Sequence, residues 1–211
     1  KKVKIGCASA FWGDTTTAAK QLVEKGDINY LVFDFLAEVT MSILAGAKNK
    51  NKNMGYATDF VKQLAPLLDQ IKKKNIKVIS NAGGINLNDC RNALVNEAEK
   101  ARIDLKIAIV TGDDLMKKLP KLIELGIKET ETSEPLPDSC LSVNAYLGAP
   151  GIVTALEQGA DIVITGRCVD SAMVLAPLMY EFDWSVEDYD LLSAGSLAGH
   201  IIECGAQCTG G

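Results

Sequence analysis

Carboxylates, one arginine and several glycines recur where short apolar runs give way to polar turns. The five ends are Phe11-Trp12-Gly13-Asp14, Asp34 with Glu38, Asn81-Ala82-Gly83-Gly84, Gly112-Asp113-Asp114, and Gly166-Arg167 with Asp170. Carboxylates can transfer protons or hold a cation, and an arginine fork can clamp a carboxylate or phosphate. Glycine in such turns permits close approach of a ligand to the backbone. The helix N-termini that follow offer free N–H groups and a positive dipole end. An edge carrying Asp14, Asp34, Glu38, Asp113, Asp114, Arg167 and Asp170 is crowded with acid for a purely structural rim. Each piece also has a plain reading. Asp14, Asp89 and Asp170 suit helix N-caps, Asp113-Asp114 suits a helix start, and Asn81 to Gly84 suits a tight turn. Asp34 resists that treatment, because it lies inside an otherwise apolar strand and an inward carboxylate needs a partner.

A second constellation lies near the end of the chain. On a helix, His200, Glu203 and Cys204 fall at i, i+3 and i+4 and share one face. Glu203 can then orient the imidazole and raise its basicity, making His200 a general base. A thiolate at Cys204 paired with His200 is an alternative, and a hydrogen-bonded core histidine is another.

The sequence demands no cofactor. The acidic rim suits a divalent metal such as magnesium, held by carboxylates and water; neutralisation by Arg167 and the helix N-termini is the competing reading, and no fixed ligand spacing favours the metal. The turn at Asn81 lacks the full glycine spacing of a dinucleotide fingerprint, which weighs against nicotinamide-dependent chemistry.

These ends belong to an alternation of strands and helices. Strands are expected over Val3 to Ala10, Tyr30 to Phe35, Ile76 to Asn81, Leu105 to Val110 and Ile162 to Ile164. Helices are expected over about Thr15 to Glu24, Leu36 to Ala47, Asp59 to Lys74, Asn88 or Asp89 to Ala101, Leu115 to Leu125, Met173 to Phe182 and Leu191 to Cys204, with another inside Asn144 to Glu157. Pro66 bends or breaks the third of these. Asp170-Ser171 supplies candidate caps for the helix after the last strand. Lys48 to Asn53 reads as an exposed low-complexity loop, and Gly126 to Cys140 as a long acidic surface loop suited to a lid or partner contact. The pattern implies a single α/β domain over residues 1–211: a doubly wound, three-layer (α/β/α), mostly parallel, Rossmann-like sheet. A partial TIM-like barrel is the alternative.

Composition narrows the function classes. A net charge of −5 gives no global case for nucleic acid or an anionic membrane. No apolar run spans a bilayer, and Lys-Lys-Val-Lys-Ile-Gly lacks the apolar core of a secretory signal. The six cysteines form no CxxC pair, which fits reduced thiols in the cytoplasm. A single histidine rules out a histidine-rich metal site. The ending Thr209-Gly210-Gly211 reads as an internal point of a longer protein.

Blocks along the whole chain resemble the acyclic terpene utilisation (AtuA-like) family. They are Gly6 to Asp14, Tyr30 to Ser42, Gly55 to Phe60, Asn81 to Gly84, Gly112 to Asp114, Ile164 to Ser171 and Ala198 to Gln207. The resemblance implies breakdown of citronellol, geraniol and related branched acids through CoA thioesters, beside a biotin-dependent geranyl-CoA carboxylase and enoyl-CoA hydratases. It also implies a further C-terminal domain. Ala8 and Ala10 stand where some relatives carry glycine, which makes the first turn less suited to wrapping a phosphate.

The expected activity is hydratase, isomerase or lyase chemistry on a CoA thioester or its carboxylate. His200, Glu203, Asp170 and Asp34 are the catalytic candidates. Arg167, Asn81, Gly83, Gly84, Trp12, Asp14, Glu38 and Asp113 are the substrate-binding candidates. A non-catalytic CoA- or nucleotide-binding or scaffold module of the same pathway is the alternative. Expected partners are a small anionic molecule and the C-terminal domain, with a second copy of the chain left open.

Overall fold

A computed structural model describes residues 1–209; Gly210 and Gly211, part of the ending read above as internal, lie outside the described residues. Apolar runs of three or four residues form β1 (Ile5–Cys7), β2 (Tyr30–Phe33), β3 (Lys77–Ser80), β4 (Ile107–Val110) and β5 (Ile162–Thr165). All four pairings are parallel, in the order β1-β2-β3-β5-β4. Apart from Lys77, Ser80 and Thr165 at strand ends, the strands lack polar side chains because both sheet faces are covered. Leu31, Phe33, Val78, Ile162 and Ile164 enter one core, whereas Tyr30, Val32, Ile79 and Val163 enter the other.

The first core is closed by α1 (Ala18–Lys25), α2 (Glu38–Lys50), α3 (Thr58–Leu64), α4 (Leu68–Lys73) and α5 (Leu87–Ala101). A short helix, α6 (Leu119–Glu124), follows β4. The second core is closed by α7 (Pro150–Glu157), α8 (Ala172–Phe182) and α9 (Tyr189–Ile202). The chain therefore folds as the expected three-layer α/β arrangement.

The strand order fixes where a ligand would gather. The connections leaving β1, β2 and β3 pack on one face, and those leaving β4 and β5 pack on the other. Neighbouring strands β3 and β5 therefore send their exits to opposite sides and open a crevice beyond their carboxyl ends. The Asn81 turn and the Arg167 turn are the two lips of that crevice.

Several local expectations need correction. Lys48 to Lys50 continue α2, so the polar loop is confined to residues 51–53. Lysine sustains a helix well, and the Lys48 ammonium is held by the Ile85 carbonyl. The stretch Asp59 to Lys74, by contrast, does break at Pro66 as expected, within a 3-10 turn over Ala65–Leu67. Asp14, Asp89 and Asp170 cap nothing: the N-cap residues are Thr17, Asn86 and Ser171, none with a side-chain cap bond. Each of the three aspartates has another use. Asp14 accepts from Ala10 N–H (2.9 Å), Asp89 from Asn86 Nδ2 (2.7 Å) and Asp170 from Arg167 Nη1 (2.9 Å).

Candidate functional site

Arg167 follows β5 directly, and its guanidinium is buried at 5 % exposure. Gly166 makes this position reachable: a Cβ there would lie 2.2 Å from Asp113 Oδ2. Without it, the Asp113 carboxylate closes on the turn and accepts from Arg167 N–H at 2.9 Å. Asn144 Nδ2 donates to the same carboxylate oxygen at 3.0 Å. Burial pushes the Asp113 carboxyl above its ordinary range, and these two donors oppose the shift. Asp113 thus positions the turn that carries the arginine.

The Arg167 side chain is enclosed by acceptors. Nη1 donates to the Leu36 carbonyl and to Asp170 Oδ1 (2.9 Å), and Nη2 lies 3.4 Å from Glu38 Oε1. Its Cζ sits 4.2 Å from the Tyr146 ring centroid, a cation–π contact. The Tyr146 hydroxyl in turn donates to Glu38 Oε1. Burial works against the guanidinium charge, but Tyr146, Asp170 and Glu38 outweigh it and hold the pKa above its ordinary value. The Tyr146 bond, aided by Arg167, keeps the Glu38 carboxyl below its usual range.

Asp34 leaves the end of β2 at 5 % exposure. Its Oδ1 accepts from Asn81 Nδ2 (2.7 Å), while Asn81 Oδ1 accepts from Phe35 N–H (2.7 Å). Asn81 therefore ties the exits of β2 and β3 together. Burial pushes the Asp34 carboxyl up to about 7; the Asn81 bond opposes this, and the Asp170 and Glu203 charges add to it.

Glu203 follows α9 and brings a third carboxylate to the same place. One ligand oxygen from each of Asp34, Asp170 and Glu203 lies within 4.8 Å of the others. Burial, with the Asp170 charge, raises the Glu203 carboxyl, while His200 opposes the rise. His200 Nδ1 lies 3.1 Å from Glu203 Oε1, yet the imidazole is 76 % exposed. The core-histidine reading is thereby corrected: the ring lies on the outer side of Glu203 because α9 presents that face to solvent. Cys204 lies beyond α9, makes no hydrogen bond to His200 among the described residues, and has a thiol raised by burial. The thiolate alternative loses its geometric basis.

The other binding candidates separate from this cluster. Gly83 N–H donates to Thr165 O (3.1 Å), and Gly84 N–H to Asn81 O (3.2 Å). Both amides are spent, so the turn offers no cradle for a phosphate. A Cβ on Gly83 would stand 2.7 Å from Thr165 O. Gly84 has φ +53°, and a Cβ there would meet Gly55 O at 2.6 Å. These glycines serve close packing, contrary to the expectation of ligand approach. Trp12 Nε1 donates to Asp59 Oδ2 (3.0 Å), and the ring packs on the first core. Asp14 Oδ1 accepts from Gln207 Nε2 (3.0 Å), fastening the β1 exit to the segment after α9. Among the described residues no hydrogen bond links Trp12 or Asp14 to Arg167.

Beside Arg167 lies a cavity of about 430 Å³, lined by Glu38, Met41, Ala45, Leu141, Asn144 and Tyr146 among others. Tyr146 and Asn144 were missed as site residues, since the sequence places them in a stretch expected to hold a helix. An aromatic residue emerging from an irregular acidic loop was the available signal.

The sequence profile of the family described as "Acyclic terpene utilisation family protein AtuA" matches residues 3–211. The chain belongs to the acyclic terpene utilisation family. Membership implies a role in acyclic terpene utilisation. No curated protein and no solved structure gives a significant match. Of the strand-end residues of this family member, Asp34, Asn81, Asp113, Arg167 and Asp170 sit at or around the crevice, whereas Trp12 and Asp14 do not. No helix among the described residues is long and apolar enough to cross a membrane.

Proposed function

We propose that the crevice is the active site of an enzyme acting on a branched acyclic terpenoid acid or its CoA thioester. The observation that carries the reading is the meeting of one buried guanidinium, three adjacent carboxylates and a partly apolar cavity at the sheet's switch point. Arg167 belongs to both halves of that site. It borders the cavity, and it holds Asp170 within the carboxylate cluster.

A cavity lined by Met41, Ala45 and Leu141 suits a branched hydrocarbon tail, and its volume falls in the range of roughly 300–1,000 Å³ usual for small-molecule sites. The polar head of the substrate would meet Arg167. Glu38 is the replaceable acceptor there, because its side chain is 75 % exposed and its bond to Nη2 is long at 3.4 Å. Asp34, with Asp170 and Glu203 beside it, would move a proton at the carbon next to the bound carbonyl. That is hydratase, isomerase or lyase chemistry. The spent amides of the Asn81 turn leave the phosphates of a CoA arm to be held elsewhere on the protein.

The test is titration of the full-length protein with geranyl-CoA, its carboxylated product and the corresponding free acids. Binding is read by calorimetry and conversion by mass spectrometry. The expected result is binding of at least one, weakened in Arg167→Lys, with conversion abolished in a folded Asp34→Asn variant. Folded protein that neither binds nor converts any of them refutes the proposal. Binding of all without conversion of any would replace the enzyme by a non-catalytic binding module.

A further inference from the structure

We propose that Asp34, Asp170 and Glu203 form a binding site for a divalent cation of the magnesium or manganese type. The inference concerns the crevice of the proposed function, and an ion held there would take Asp34 as a ligand in place of the proton-moving role given to it above.

Each carboxylate commits one oxygen to a protein donor and keeps the other free. Asp34 Oδ1 accepts from Asn81 Nδ2 at 2.7 Å, Asp170 Oδ1 from Arg167 Nη1 at 2.9 Å, and Glu203 Oε1 faces His200 Nδ1 at 3.1 Å. Such outer partners orient ligands in metal sites and leave the inner oxygens to the ion. Among the described residues neither Asp34 Oδ2 nor Asp170 Oδ2 has a hydrogen-bond donor.

The decisive observation is Glu203. It is 7 % exposed, and its Oε2 is buried with no hydrogen-bond partner among the described residues. An unpaired buried carboxylate oxygen costs its desolvation in full, and here it sits beside two further carboxylates. Among the described residues Arg167 is the guanidinium bonded to this cluster, and of its three acids it bonds Asp170 alone. A divalent cation supplies the missing positive charge and the missing partner together.

The spacing agrees. Oxygens on opposite sides of an ion lie about 4.2 Å apart at a metal–oxygen distance of about 2.1 Å, and about 4.8 Å apart at about 2.4 Å. Ligand oxygens all within 4.8 Å of one another fit the wider of these spans as they stand, and would close by up to about 0.6 Å around an ion of magnesium size. Three carboxylates leave room for water or for a substrate oxygen, as is usual for magnesium. An all-oxygen donor set selects a hard cation over zinc or copper.

The experiment uses manganese(II) chloride as the probe on chelator-treated protein, with free ion counted by electron paramagnetic resonance and stability followed by thermal melting. The expected result is one ion bound per chain and a rise in the melting temperature. Glu203→Gln and Asp34→Asn, both close in shape to the native residues, should each weaken binding at least tenfold while remaining folded. Absence of bound manganese in folded wild-type protein overturns the proposal, because the three acids must then share protons instead. Binding that survives both substitutions also overturns it, because the ion then sits elsewhere. Neither result depends on turnover, so the site can fail while the proposed enzyme stands, or the reverse.

Discussion

Replacing Arg167 by alanine should unfold the protein more readily before it says anything about catalysis. The guanidinium is buried, and removing it leaves the Leu36 carbonyl without its donor. An orphaned buried acceptor costs about 1–3 kcal/mol. The bond to Asp170, whose side chain is 38 % exposed, adds about 1 kcal/mol. Contact with the half-exposed Tyr146 ring adds about 1 kcal/mol. Glu38 is too exposed to add much. The sum is about 3–5 kcal/mol, the range expected when one partner leaves a buried charged network. Arg167→Lys keeps the charge and one donor but loses the fork, so it should cost only about 1–2 kcal/mol. Urea unfolding of wild type and both variants, fitted with a common m-value, measures this directly. An alanine variant within 1 kcal/mol of wild type would refute the claim that Arg167 organises the crevice. So would a lysine variant no more stable than the alanine one. Arg167→Lys is consequently the right probe of ligand affinity.

Three further outcomes follow from particular contacts. Gly83→Ala should destabilise by about 1–3 kcal/mol, because its Cβ meets the Thr165 carbonyl, whereas Gly46→Ala in α2, with open space around it, should stabilise by about 0.5–1 kcal/mol; melting curves that fail to move in opposite directions would contradict this. On the amino-terminal edge of the sheet, burial works to raise the Asp161 carboxyl, but Lys106 N–H, Lys77 and Lys72 outweigh it and hold the pKa below its ordinary value. Its stabilisation is therefore complete above the unfolded aspartate value of about 3.9 and is lost as pH falls through the lower folded value. Asp161→Asn should melt about 2–4 °C lower at pH 7, for a loss on the order of 1 kcal/mol, and should match wild type in strong acid; a constant gap at every pH would count against the ion cluster. Burial pushes the Cys7, Cys90 and Cys168 thiols up to about 12, whereas Cys208 is exposed. Iodoacetamide should label Cys208 first and leave Cys90 and Cys168 untouched until urea is added, and native labelling of Cys90 at the Cys208 rate would be inconsistent with the core described.

The strands were legible in the sequence because each is a short apolar run bounded by polar turns, and parallel strands buried on both faces carry that pattern whatever their neighbours. Convergence of the strand ends was legible for the same reason. Asp34, Arg167 and Asp170 could be read as unusual because a carboxylate or guanidinium beside an apolar strand has few structural uses. Their pairings could not. Asn81 reaches Asp34 across neighbouring strands, and Glu203 arrives from a helix end far along the chain. Tyr146 could be noticed as an aromatic residue but not placed, because an irregular segment takes its position from tertiary contacts alone. The Asn81-Ala-Gly-Gly turn misled, since glycine for close packing and glycine for ligand approach look alike in a sequence. Residues such as Asp14 and Asp89 misled likewise: a short polar side chain before a helix suits a cap, but the competing donors, Ala10 N–H and Asn86 Nδ2, lie just upstream in the chain.

Asp113 carries a practical implication for engineering. Leu115 N–H donates to Val143 O at 2.7 Å, and Ala145 N–H donates to Asp113 O at 2.8 Å, so the chain on both sides of the acidic excursion is clasped before and after it. Residues 126–135 are exposed throughout and hang from this clasp as a closed appendage. Doubling the length of such an appendage adds only about 0.6 kcal/mol of closure entropy. A fluorophore, an affinity tag or a whole reporter domain spliced there would ride outside the clasp, giving the crevice a handle for immobilisation or optical readout with Tyr146 and Arg167 left in register.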